Sequence, residues 1–283
     1  MPIFQHNRVL NESFLLHNEF KEQYEKFSNL GLTYSKTINV CICGLARDVG
    51  PSIQKNLEQI KNIKDFFKTG HIVIYENDSK DDTQEKIKEW AKNNENTHLI
   101  TEKHGATHPV GPSSKSVLRT QALAKYRSIC KSYIKENIKD VDYVIVIDLD
   151  SQFINTIGIL NSFGWIIEQN IDIMAGHSYL PYKIEEDGTI STTNYDSWAF
   201  RQNWWEDRQN TMMWFLYWHP YVGSSPIKVN SAFGGSCIYK APVFFSSEYE
   251  GYDCEHVCFH KNIHQKYPDC KLFVNPSQFM ITS

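Results

Sequence analysis

Long hydrophobic runs are missing from this 283-residue chain. No stretch approaches the roughly 20 apolar residues of a membrane-spanning helix, and Met1 to Leu10, with His6, Asn7 and Arg8, lacks the apolar core of a secretion signal. The chain is therefore expected to carry no membrane span and to work in the cytoplasm, or in a lumen if an anchor precedes it. An excess of positive charge is missing too: a formal net charge of -4 and a pI near 6.3 give no general basic field, which speaks against nucleic acid as a partner. Cysteines are few and odd in number, seven scattered from Cys41 to Cys270, so a dense disulfide framework is not expected. No internal repeat or low-complexity segment breaks the chain.

What is present is an alternation of strand and helix signals. Ile38 to Leu45 has the length and β-branching of a buried strand, and Pro51 suits the first turn of the helix after it, with Ile53, Leu57, Ile60 and Phe67 as its apolar stripe. His71 to Tyr75 is a second strand, followed by a helix through Trp90 for which Asp82 and Glu85 have capping-box spacing. Thr97 to Thr101 is a third strand. A Gly/Pro/Ser loop from Gly105 to Ser114 then leads into a helix of about 20 residues with Leu118, Ala122, Tyr126 and Ile129 on one face. Tyr143 to Ile147 is the most apolar strand.

The second half is less regular. It offers strands at Ile171 to Ala175, Ser236 to Tyr239 and Lys271 to Val274, and a helix from Cys254 to about Tyr267. The expected architecture is a single α/β, Rossmann-like domain with a mostly parallel sheet and helices on both faces. Residues 1–36, with Phe14, Leu15, Leu16, Phe20, Tyr24 and Phe27 at helix spacing, form a helical extension ending at Asn29 to Gly31. The domain covers 37–283, with a nucleotide-binding half at 37–153 and an acceptor-binding half at 154–283.

Ligands of such sheets gather outside the carboxyl ends of the strands, and the acids collect there. Asp148 and Asp150, one residue apart after the fourth strand, repel each other unless a cation lies between them; Mg²⁺ or Mn²⁺ together with phosphate oxygens is the usual solution. Glu76 and Asp78 close the second strand, and Arg47 and Asp48 the first. Together they suggest one pocket able to read a nucleoside, since carboxylates accept from base N–H groups and ribose hydroxyls while Arg stacks or binds phosphate. The same spacing also suits plain helix caps and solvated turns. Arg119 and Arg127, eight apart on one helix, lie roughly on one face and are candidates for a diphosphate; solvent exposure beside Lys115, Lys125 and Lys131 is the alternative.

Near the C-terminus, Asp253 to His260 is dense in ligands and bases. Its Cys-x₃-Cys with interleaved His does not match a common structural zinc spacing. Glu255 and Asp253 are candidate catalytic acids, able to position or deprotonate a substrate hydroxyl; a helix start with Asp253 as its cap is the simpler alternative. Gly234 and Gly235 either let the backbone approach a donor sugar closely or form a turn or bulge. The Trp/Tyr-rich stretch from Tyr195 to Tyr221 suits apolar sugar faces, and equally a core.

These motifs in this order resemble the nucleotide half of GT-A glycosyltransferases, and within that fold the fungal capsule-associated α-1,3-mannosyltransferase family. The resemblance rests on Glu76 to Thr83, on Arg119 with Leu123 to Arg127, on Asp148 to Asp150, on Val229 to Gly235 with Ala241 and Phe244, and on Asn275-Pro276 after the last strand, spanning about residues 38 to 276. It implies metal on Asp150, Asp148 nearer the ribose or the metal's waters, Glu76 and Asp78 on the nucleoside, and Arg119 or Arg127 near phosphate. It also implies a GDP- or UDP-sugar donor, with GDP-mannose the family's choice. Ser128 stands where the family usually has Asn, and Ala232-Phe233 where it has Cys-Trp.

The expected activity is metal-dependent transfer of a hexose from a nucleotide-diphosphate sugar to a glycan or other hydroxyl acceptor. Two other readings share the motifs. A nucleotidyltransferase that makes sugar nucleotides is one, although Gly44 to Asp48 is a poor version of its Gly-rich phosphate loop. A carbohydrate-binding protein without turnover is the other.

Overall fold

A computed structural model describes residues 16–105, 117–184, 190–204, 215 and 218–282. Phe14 and Leu15, the loop residues 106–116, and Trp205, Trp214 and Tyr217 of the aromatic stretch lie outside these described residues.

The first half forms as its hydrophobic pattern dictates. Strands β1 (Asn39–Ala46), β2 (Thr69–Asn77), β3 (Thr97–Glu102) and β4 (Tyr143–Ile147) pair in parallel in the order β3-β2-β1-β4. Between them run α2 (Gly50–Lys64), α3 (Thr83–Lys92) and α4 (Val117–Asn137), all following α1 (Lys21–Ser35). Side chains of a strand alternate between the two faces of a sheet, so its apolar runs feed two cores at once. Val40, Ile42, Ile74, Ile145 and Ile147 join Ile53 and Leu57 of α2 on one face. Cys41, Cys43, Val73, Val144 and Val146 join Ala124, Cys130 and Ile134 of α4 on the other.

The second half extends this sheet through a reversal. β9 (Ser236–Lys240) runs antiparallel to β4 and then to β6 (Ile173–Ile184), and β6 pairs in parallel with β10 (Leu272–Ile281). β5 (Phe153–Ile154) and β8 (Ile227–Lys228) pair with β10, and β7 (Ile190–Asn194) with β6, giving ten strands in one mixed sheet. Helices α5 (Thr156–Gln169), α6 (Ala241–Phe244) and α7 (Glu255–Lys266) complete the described elements. Among the described residues no helix is long and apolar enough to cross a membrane.

Three local expectations are corrected. Helix α1 does not end at Asn29 to Gly31 but continues to Ser35, because Gly31 is a contact point and not a stop. A Cβ on Gly31 would lie 1.7 Å from the Leu160 carbonyl oxygen, and one on Gly164 would lie 2.0 Å from that of Phe27. Glycines on both helices thus let α1 and α5 meet backbone to backbone, sealed by Phe27 stacked on Trp165 at 3.6 Å. Asp82 makes no side-chain cap at the start of α3; its carboxylate pairs with Lys86 at 2.9 Å. The neighbouring Asp81 accepts instead from the Thr83 N–H and hydroxyl and from the Gly50 N–H, tying α3 to α2. The last strand, finally, does not stop at Val274 but passes through Asn275-Pro276 to Ile281, with an irregularity between Val274 and Phe279 that accommodates the proline.

The second core layer buries neutral histidines. His177, 1% exposed, meets the Asn194 amide through Nδ1 and the edges of Tyr179 and Trp218, and burial lowers its pKa to about 3. The unfolded chain takes up this proton near pH 6.5 while the folded chain refuses it, so stability is complete above that pH and falls as pH drops toward the folded value. Between about pH 7 and pH 5 one such histidine costs about 2 kcal/mol. Denaturant titrations of His177→Met are expected to show a decline over this interval shallower than the wild type's by about that amount. Parallel pH profiles would locate the acid sensitivity elsewhere.

Candidate active site

The carboxyl ends of β1, β2 and β4 open into one cavity of about 580 Å³. Arg47, Asp48, Asn77, Arg119, Arg127, Asp148, Asp150 and Glu255 all line it, drawn from five separate stretches of sequence. Tyr195, Asp196, Trp198, Phe233 and His256 complete the wall on the side of the second half.

Arg127 is the electrostatic centre. It is 7% exposed; its Nε donates to Glu255 at 2.9 Å, its Nη2 to Asp148 at 3.3 Å, and its guanidinium lies 5.0 Å from the Phe233 ring centre. A bare buried guanidinium is costly, and two carboxylates with hydrogen bonds relieve that cost. Arg119 lies over Trp198 at 5.8 Å, and its charge also bears on Asp150.

The acids nonetheless outnumber the cations. Burial raises the pKa of Asp148, Arg127 pulls it back, and Asp150, Asp196 and Glu255 push it up again. Asp150 is raised as well, first by burial. Among the described residues no three His, Cys, Asp or Glu side chains form a ready-made cage for a metal ion. Two repelling carboxylates at a strand end, Asp148 half-buried and Asp150 exposed, fit a hard divalent cation that draws its remaining ligands from water and phosphate, as Mg²⁺ and Mn²⁺ do.

Asp196 is the acid that sequence reasoning missed. Nothing in its spacing marks it: it sits in an irregular segment after β7, and only the fold carries it to the cavity. Its two oxygens accept from the Gly234 N–H at 2.8 Å and the Ala199 N–H at 3.3 Å. Burial is the main cause that pushes its pKa up to about 7, against these two hydrogen bonds.

Several candidates are brought near the cavity without lining it. Glu76, fully buried, accepts from the Ser79 N–H and the Gln84 amide. Asp78, in left-handed conformation, accepts from the N–H groups of His104 and Gly105 and from the Asn77 amide, which together hold its pKa below the usual range. Both carboxylates thus shape the strand end, and Asn77 is the residue there that reaches the cavity. Asp48 lines the cavity while its Oδ1 accepts from the Lys80 N–H at 2.7 Å, joining the first two strand-end loops.

Asp253 is held apart from Glu255. Its carboxylate accepts from the buried Arg201 at 2.9 Å and from the Cys254 N–H at 2.7 Å, and Arg201 also donates to the carbonyls of Trp198 and Phe200. That arginine ties the start of α7 to the segment bearing Asp196. Gly234 and Gly235 meet protein. Both have positive φ; a Cβ on Gly234 would lie 2.1 Å from the Gly176 carbonyl oxygen, and one on Gly235 would lie 2.9 Å from the Met280 sulfur. They form a tight turn whose Gly235 carbonyl accepts from the Asp148 N–H at 2.8 Å.

No protein-family profile matches this sequence, and no curated protein matches it either. Solved structures do resemble it. One is S. aureus TarS, with a TM-score of 0.53 at 12% identity over 87% of this chain and 37% of that one. Another is GalNAc-T7 with UDP, GalNAc and Mn²⁺, with a TM-score of 0.51 at 14% identity over 87% and 44%. A third is a mycobacterial protein, with a TM-score of 0.50 at 12% identity over 88% and 68%. The chain therefore spans less than half the length of the first two. With the strand order above, these likenesses establish the fold as that of the GT-A glycosyltransferases.

The turn makes a direct prediction. Gly234→Ala places a side chain where the backbone is left-handed and blocked, and is expected to lower stability by about 2 kcal/mol or more in denaturant titrations. Gly105→Ala, also at positive φ but with nothing within 4 Å of its Cβ, is the control and should cost about 1 kcal/mol, the conformational part alone. Equal losses would remove the close packing of Gly234 on Gly176 from the account.

Proposed function

We propose that the chain is a metal-dependent glycosyltransferase that moves a hexose from a nucleotide-diphosphate sugar to a glycan or other hydroxyl acceptor. The observation that carries this reading is the pair Asp148 and Asp150 at the end of a buried strand, in a cavity that also holds Arg119, Arg127 and Glu255. GalNAc-T7, whose fold is shared, is a structure with UDP, GalNAc and Mn²⁺, which supports a nucleotide-sugar donor and a divalent metal. The likeness to the fungal capsule family favours mannose as the hexose. A cytoplasmic or lumenal site of action is consistent with this donor.

Asp148 and Asp150 are the residues that hold the metal. When bound, a divalent cation neutralises the charge that develops on the leaving diphosphate. Arg119 adds positive charge on the same side of the cavity, and Arg127 fixes Asp148 and Glu255 relative to each other. Asn77 and Tyr126, at the end of β2 and on α4, line the cavity where a nucleoside fits. Glu255 lines the same cavity and is the acid we assign to the acceptor hydroxyl. The nucleotidyltransferase reading is disfavoured by Gly44, which lies inside β1. A Cβ on it would lie 2.6 Å from the Ile147 carbonyl oxygen and 2.8 Å from the Leu149 side chain. That glycine serves strand packing and not a phosphate loop.

Asp150→Asn should give a folded chain that no longer gains affinity for a sugar nucleotide when Mn²⁺ is added. Thermal shifts with GDP- and UDP-sugars, each with and without Mn²⁺, measure this directly, because a ligand that binds only the folded state raises its melting temperature. A wild type unmoved by every sugar nucleotide would overturn the proposed function; an Asp150→Asn chain that responds as the wild type does would overturn the metal assignment.

A further inference from the structure

The wall facing Asp148 and Asp150 contains two features that the transfer scheme above does not use. The first is Asp196. Its carboxylate is fixed by two backbone N–H groups, from Gly234 and Ala199, and forms no ion pair with any described residue. The other acids of this region are differently placed: Asp148 and Glu255 share Arg127, and Asp253 is bound to Arg201. Two accepted hydrogen bonds leave lone pairs on both oxygens of Asp196, which line the cavity in a set direction.

The second feature is His256, 2% exposed, in the same wall. Its ring stacks on Phe233 at 3.7 Å and meets Tyr249 edge to face at 5.9 Å, and its Nε2 lies 3.5 Å from the Glu255 carboxylate without hydrogen-bond geometry. Neither ring nitrogen has a hydrogen-bond partner. A buried imidazole without partners carries a desolvation cost of about 1–3 kcal/mol per polar group, which is relieved when a ligand supplies them. Acceptor oxygens with free lone pairs and an imidazole without hydrogen-bond partners, lining one cavity, match a molecule that offers several O–H groups, each able to donate and to accept.

We infer that Asp196, with His256 in the same wall, reads ring hydroxyls of the sugar that is transferred. This rests on the proposed transferase reading and names the part of the donor that those residues recognise. The turn gives it a structural logic: Gly234 anchors Asp196 and Gly235 anchors Asp148, so the hydroxyl-reading acid and the metal-holding acid are set by two adjacent peptide groups. The diphosphate at Asp148 and the sugar at Asp196 are thereby held at a fixed separation. Burial favours an uncharged carboxyl near neutral pH, in which case Asp196 also donates.

The test separates sugar from nucleotide. Isothermal titration of the full chain with Mn²⁺ compares a nucleoside diphosphate with the matching nucleotide sugar, for the wild type and for Asp196→Ala, Asp196→Asn and His256→Phe. The wild type is expected to bind the nucleotide sugar more tightly than the nucleoside diphosphate. Asp196→Ala should weaken the nucleotide sugar about tenfold to a hundredfold while changing the nucleoside diphosphate less than about twofold, as fits sugar hydroxyls left without their buried hydrogen-bond partner. Asp196→Asn, which keeps one acceptor oxygen, should fall between. His256→Phe keeps the aromatic stacking and should also weaken only the nucleotide sugar. In a nucleotide sugar lacking the hydroxyl that Asp196 reads, the wild type and Asp196→Ala should bind alike. Equal loss for both ligands in Asp196→Ala, or no loss for either, would overturn the inference and leave the transferase reading standing. A wild type that binds no nucleotide at all would take both down.

Discussion

The site depends on one short turn, Gly234-Gly235. Its outer atoms serve the cavity: the Gly235 carbonyl receives the Asp148 N–H, and the Gly234 N–H is received by Asp196. Its inner side is pressed so closely against the Gly176 backbone that no methyl group fits on Gly234, while one on Gly235 would require the Met280 side chain to shift. Left-handed backbone at two successive residues strains any side chain at either, and the backbone contact at Gly234 excludes one there outright. The turn thereby fixes how far the end of β4 lies from the segment after β7, and sets two acids that are 48 residues apart by number, Asp148 and Asp196, into one cavity.

Around that turn the charges are deliberately unequal. Arg127 is shared by Asp148 and Glu255, while Asp150 and Asp196 are raised by burial. A protein built only for stability would replace such a set with apolar residues at no loss, since buried ion pairs rarely repay their desolvation. Keeping four acids about one buried arginine makes sense where a ligand brings the missing positive charge and the missing hydrogen-bond donors. In the proposed scheme a divalent cation would answer Asp148 and Asp150, and hydroxyl groups would answer Asp196. In that scheme the protein need not supply a complete cage, since the ion would bring phosphate oxygens as its other ligands.

The first half of the sheet was legible in the sequence because each of its elements is local. β1, β2 and β4 are short apolar runs flanked by polar residues, and their ends carry the acids that periodicity alone places near a ligand. Which acids face the ligand was not legible. Glu76 and Asp78 look as exposed as Asp150 on paper, yet their carboxylates are taken up by N–H groups from the following loops, a matter of tertiary contact. Gly31 shows the same limit on the helical side. As a letter it reads as a helix stop, and only the facing Leu160 carbonyl reveals it as the place where two helices touch. Asp196 lay furthest from reach, since it belongs to no periodic segment and gains its position through the turn and through Arg201.

Arg201 shows why the second half resists a pattern reading. Its backbone bridges to Ser231, its guanidinium binds the carbonyls of Trp198 and Phe200 and the carboxylate of Asp253, and Ser231 in turn bonds His260, which meets Tyr239 of β9. This polar spine joins the Asp196 segment, the approach to the glycine turn and the start of α7 without any regular element among the first two. Its members are 52 and 59 residues apart from Arg201 at Asp253 and His260, and none repeats at a helix or strand period. Apolar patterning specifies a sheet and the helices on it, whereas a buried polar network specifies where irregular chain must lie, because each unsatisfied member carries its full desolvation cost. The cavity wall is made of such chain. Its geometry is therefore set by that buried network, which holds Asp196 in irregular chain just after β7 and Glu255 at the first residue of α7.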